Sequence, residues 1–206
     1  MNIVLDPGHG GIDENGNYTT APNKMYRFND GTVAYEGVLN RSIAMEVMRH
    51  IDANPNLNGI YTVDPEDATD ISLRSRVKVA NRLSSKNTIF VSIHCNASPS
   101  HKASGFELFT AKGATASDTL ARNVILAVEP LYRKYDIPMR YDWGDGDRDK
   151  EADFYVLRKT KCPAILIEAG FFDFKKDFNL LRDPEFQVEL GRLIYEGIAN
   201  YIIWSR

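Results

Sequence analysis

The chain has 206 residues, enough for one domain with a real hydrophobic core. With 43% apolar residues, 26% charged residues and a formal net charge of −3, it has an ordinary soluble composition and lacks the basic excess that nucleic-acid binding demands. No apolar run is long enough to span a bilayer, and a strand is predicted directly after Met1. The expectation is a protein made in the cytoplasm without a signal peptide and without membrane insertion.

Taken in chain order, residues 2–5 read as a strand that runs directly into Asp6-Pro7-Gly8-His9-Gly10-Gly11. A Gly/Asn/Thr-rich loop is predicted from Gly10 to about Ala34. Leu39, Ile43, Val47 and Ile51 then recur every fourth residue, the spacing of a helix that buries one face. Residues 59–63 and 88–94 read as strands, with a helical stripe of Leu73, Val77, Ala80 and Leu83 between them. A strand at 106–110 precedes a third stripe, Leu120, Val124, Val128 and Leu131. A second long loop, from Met139 to about Asp153, carries the charged run Asp142, Asp145, Asp147, Arg148, Asp149, Lys150 and Glu151, which predicts a solvated surface segment. Strands at 154–157 and 164–168 follow. The last helix carries Phe186, Leu190, Ile194 and Ile198 and opens at Pro184, where the fixed φ of proline suits a first turn. All four stripes are expected to pack in the core. The alternation predicts a single α/β domain over residues 1–206: a twisted, mostly parallel central sheet of about six strands with helices on both faces.

Polar residues fall at telling places on this frame. His9 lies just past the end of the first strand, His94 ends the strand at 88–94, and Glu168 ends the strand at 164–168. Ligand sites in open α/β sheets gather outside the carboxyl ends of strands. Glu36 stands at the start of the first helix, where an acid is also favoured by the helix dipole. Glu168 closes an Ala-Ile-Leu-Ile run, and an acid so placed is costly to bury without a purpose. Two histidines and a glutamate form a known catalytic zinc set that leaves one position for water, and a further carboxylate can carry the water's proton. The other histidines, His50 late in a helix and His101 in a polar stretch, are expected at the surface. The two cysteines, Cys95 and Cys162, are expected to be buried, reduced and free of metal.

Several ordered segments resemble one family. Asp6–Gly11, Glu36–Asn40, the stretch Leu73-Arg74-Ser75-Arg76 with Ala80-Asn81, Ser92–Ala97 and Val156–Phe171 resemble zinc-dependent N-acetylmuramoyl-L-alanine amidases of the Amidase_3 type, over nearly the full length. The resemblance implies one zinc per chain, bound by His9, Glu36 and His94. It implies Glu168 as catalytic acid/base and peptidoglycan as substrate, cut between N-acetylmuramic acid and L-alanine, so that the protein acts on the cell wall. Asn96 is placed either to donate to the substrate or to hold its own backbone in a turn. The chain departs from the family at Thr62-Val63, where Thr-Arg is common, and at Phe172-Asp173-Phe174, where an asparagine is common. Its longer segment between His9 and Glu36, with the acidic loop, is similar to phage- or mobile-element-type members, which leaves an endolysin and a host wall enzyme both open. That longer segment is expected to form one wall of a cleft, with Tyr18, Tyr26 and Phe28 offered to sugar rings. A zinc peptidase or deacylase on another amide, or a non-catalytic wall-binding module, are the alternatives.

Overall fold

The apolar strands assemble into the centre of one six-stranded sheet. The structure is a computed structural model, and it describes residues 1–144 and 146–204. Strands β1 (Asn2–Pro7), β4 (Asn58–Tyr61), β5 (Thr88–Asn96) and β8 (Ala164–Phe171) run parallel in the order β4-β1-β5-β8. Beyond β8 lie β6 (Glu107–Thr110), antiparallel to it, and the two-residue β7 (Lys150–Glu151), parallel to β6. The interior strands are apolar on both sides because helices cover both faces. Helices α1 (Glu36–Asp52), α3 (Ala116–Lys134) and α6 (Pro184–Trp204) cover one face, over a core that includes Ile3, Leu5, Val91, Ile93, Ile165 and Ile167. The opposite face carries a smaller core of Val4, Phe90, Ala164 and Leu166 beneath α2 (Leu73–Asn81) and α4 (Tyr155–Lys159). A short helix, α5 (Lys175–Leu181), follows β8. No helix among the described residues is long and apolar enough to cross a membrane.

Three expectations need correction. Residues 154–157 form the N-cap and first turn of helix α4, not a strand, since an apolar run this short has no periodicity to separate the two. The sixth strand is β7, inside the predicted loop 139–153. That loop is not simply solvated either. Asp149 is buried and accepts from Thr110 Oγ1 at 2.7 Å, and burial pushes its carboxyl up to about 7. Asp145 lies outside the described residues. Finally, Leu73 does not pack in the core. It is 52% exposed at the first position of α2, while Val77 and Ala80 of the same stripe are buried.

The segment 10–34 is also more ordered than a loop. It contains a 3-10 turn, Pro22–Lys24, and a hairpin of β2 (Met25–Arg27) with β3 (Val33–Tyr35). Its rings are committed to packing. The Tyr18 hydroxyl accepts from the Gly37 N–H at 3.0 Å and so caps α1, while Tyr26 packs on Phe28 and His101, and Phe28 stacks on Phe178. Each of the three rings is half-buried in these contacts. Half-buried His50 stacks on Tyr195, and the exposed ring of His101 bonds Asp173 at 2.8 Å.

Candidate active site

Strand alternation decides which side chains can meet. Asp6 pairs in register with Ser92, and His94 with Glu168, so these four point to the α2/α4 face at the carboxyl ends of neighbouring strands. Glu107 of β6 lies directly opposite Glu168 across the antiparallel pair. The intervening Cys95 points the other way, into the larger core. His9 enters from the turn after β1 with φ at +65°, a conformation few non-glycine residues adopt. Strain of this kind persists only where the surroundings over-determine it. Here they do: the His9 carbonyl accepts from Arg41 Nη1 at 2.8 Å and from Arg76 Nη2 at 3.2 Å, and the Gly8 carbonyl accepts from Asn40 Nδ2 at 3.1 Å. Gly8 is required for a different reason. A Cβ there would lie 2.2 Å from the His94 ring.

Glu36 is the first residue of α1, 1% exposed. The helix can start this close to the turn because Gly37 packs on the Gly10 carbonyl, where a Cβ would come to 1.8 Å. Glu36 Oε1 lies 3.1 Å from His9 Nε2 and 3.0 Å from His94 Nδ1, and the two imidazoles meet edge to face. Burial opposes ionisation of Glu36, but the two histidines outweigh it and hold the carboxyl below its ordinary range. Burial also lowers the pKa of His9, which favours the neutral ring.

The three donors fit a divalent metal. Ligands each about 2.0–2.2 Å from one tetrahedral ion lie roughly 3.3 Å apart, close to the separations found. Beyond the close approach of His9 Nε2 to Glu36 Oε1 and of Lys24 Nζ to Glu36 Oε2, neither His9 Nε2 nor Glu36 Oε2 completes a hydrogen bond, and buried polar atoms are rarely left so. Among the described residues no other group of His, Cys, Asp or Glu converges in this way. Glu168 stands apart from the donors but opens into the same cavity, of about 220 Å³, which His9, His94, Lys24, Leu73, Arg76 and Phe154 help to line. Its Oε2 is also enclosed and unpaired. Burial, then the nearby Glu36 charge, pushes the Glu168 carboxyl well above its ordinary value.

The structure thus brings His9, Glu36, His94 and Glu168 together. Asn96 sits one strand-step beyond His94, donating to Glu107 Oε2 at 2.7 Å and accepting from the Ala97 N–H. Glu107 also binds Arg140 Nε and Lys150 Nζ, each at 2.7 Å. Lys24, Arg41 and Glu107 went unmarked in the sequence. The only local signal for Lys24 is the Asp30-Gly31 pair, a hairpin turn whose register runs back to it.

The family model for N-acetylmuramoyl-L-alanine amidase, Amidase_3, matches residues 3–200. An uncharacterized cell wall amidase of Bacillus anthracis is 31% identical over 98% of this chain, and an endolysin of Bacillus phage SPP1 is 27% identical over 97%. The chain spans 36% of the length of the first relative and 65% of the second. Among solved structures, the catalytic domain of CwlV, an N-acetylmuramoyl-L-alanine amidase of Bacillus (Paenibacillus) polymyxa, superposes with a TM-score of 0.78 at 30% identity, covering 98% of each chain.

Proposed function

The chain belongs to the Amidase_3 family of N-acetylmuramoyl-L-alanine amidases, and from that premise we propose that it hydrolyses the amide between N-acetylmuramic acid and L-alanine in bacterial peptidoglycan. Residues 1–206 are read as one catalytic domain acting on the cell wall, and the relation to a phage endolysin supports a lytic role. The observation that carries the reading is the convergence of His9, Glu36 and His94 beside a cavity that the two histidines share with Glu168.

In this reading His9, Glu36 and His94 hold one zinc ion, which when bound lowers the pKa of water to about 7 and polarises the scissile carbonyl. Glu168 takes the proton of the attacking water and passes it to the leaving nitrogen. The new carbon–oxygen bond leaves a lactyl carboxyl group, and the broken carbon–nitrogen bond releases the free amine of L-alanine. Glu168 suits proton transfer because its Oε2 is buried with no hydrogen-bond partner to compete for the proton. We read Asn96, which keeps one amide hydrogen beyond its bond to Glu107, as a donor to the peptide.

Mass spectrometry of digested peptidoglycan tests this directly. The expected products are sugar strands without peptides and stem peptides with free N-terminal L-alanine, with none formed when a chelator is present. Cuts inside the peptide would make the protein a peptidase, and intact walls would make it a binding module.

A further inference from the structure

We propose that Lys24 is a catalytic residue whose ammonium donates to the substrate amide oxygen as negative charge builds there. This rests on the amidase reading above.

The placement of Lys24 is a product of the hairpin. Met25 pairs with Tyr35, and one further step along both chains sets Lys24 beside Glu36. Its Nζ lies 3.3 Å from Glu36 Oε2, and its side chain, 35% exposed, lines the cavity that holds His9, His94 and Glu168. The segment between His9 and Glu36 thus delivers a cation to the reacting centre.

Other cations near the cavity are already committed. Arg76 spends its guanidinium on Asp6, Asp70 and the carbonyls of Pro7, His9 and Ile71. Arg41 spends its two terminal nitrogens on the carbonyls of His9, Gly37, Asp67 and Thr69. Lys24 carries three N–H donors and among the described residues makes one ion pair, so it can keep Glu36 and still reach a second oxygen. The need is clear as well. Two carboxylates, Glu36 and Glu168, border the place where the carbonyl oxygen turns negative. A fixed cation there stabilises the transition state more than the neutral ground state.

The competing role is structural: Lys24 orients the outer oxygen of Glu36 and never touches substrate. Steady-state kinetics on a soluble N-acetylmuramoyl-peptide, with zinc affinity measured by chelator competition, separates the two. Lys24→Met is expected to lose about 10²-fold or more in kcat, the scale for one oxyanion donor. KM and zinc affinity should stay near those of the parent, and Lys24→Arg should recover part of the loss. Unchanged kcat in Lys24→Met overturns the proposal. So does a fall in kcat that vanishes at saturating zinc, which marks Lys24 as a positioning residue for Glu36. A parent that binds zinc but releases no L-alanine peptide removes the amidase reading and this inference with it, an outcome visible without either variant.

Discussion

Asp6 and Glu36 are both fully buried carboxylates at the same end of the sheet, and they are treated in opposite ways. Every Asp6 oxygen is spent. Oδ1 accepts from Thr62 Oγ1 at 2.6 Å and Arg76 Nη1 at 2.8 Å, and Oδ2 accepts from Ser92 Oγ at 2.7 Å. Glu36 shares one oxygen between two imidazoles and turns the other, without a hydrogen bond, to the half-buried Lys24 ammonium at 3.3 Å, and Glu168 beside it keeps a free oxygen. A buried network with all its valences filled is a brace; one with several unfilled is shaped for something that is not protein. The first cluster holds the turn that carries His9, and the second uses it.

The contrast is open to attack by substitution. Glu168→Gln should show the largest effect, a fall in peptidoglycan turnover of about 10²–10⁴-fold. Its thermal midpoint should be unchanged or higher, since the variant no longer buries an ionisable acid. A large drop in stability would mean that this cluster is a brace too. Arg76→Met should behave in the reverse manner and cost about 3–5 kcal/mol in urea unfolding, because Asp6 is left buried without its cation. Near-parental stability would break the distinction from the other side.

Metal should act on the second cluster alone. At a hundredfold excess over its dissociation constant, zinc should stabilise the parent by about 2.7 kcal/mol, seen as a rise in thermal midpoint that a chelator reverses. His94→Ala should show no such rise. The smallest effect concerns acid. Burial raises the Asp6 pKa, but Arg76, Ser92 and Thr62 more than reverse this and hold it below 3.8. The stability Asp6 contributes is therefore complete above that value and lost as pH falls through the lower, folded one. Unfolding midpoints measured from pH 5 to pH 2 should fall less steeply in Asp6→Asn than in the parent.

Much of this was legible from the chain. The helical stripes of α1, α3 and α6 are buried as their spacing implies, and the three strand ends bearing His9, His94 and Glu168 do adjoin. What escaped notice was local or long-range for definite reasons. Phe154 to Leu157 is a short apolar run, and periodicity cannot tell helix from strand at that length. The β2–β3 hairpin carries its Asp30-Gly31 turn signal, but its flanking strands have only three residues each. Lys24, Arg41 and Glu107 look like ordinary surface charges until the fold shows what each faces. Leu73 follows the α2 stripe yet stays exposed, because it lies at the helix's first turn beside the cavity.

The parallel strands that bear the site are neighbours in space and strangers in sequence. The bond from Ser92 to Asp6 joins residues 86 positions apart, and β8 comes later still. Parallel pairings of this span close large loops before any contact repays them, so the chain must complete most of its search before two ligands meet. In a zinc finger the ion drives folding. Here it would find its donors only in a finished sheet. Metal binding should accordingly leave the refolding rate unchanged and slow unfolding.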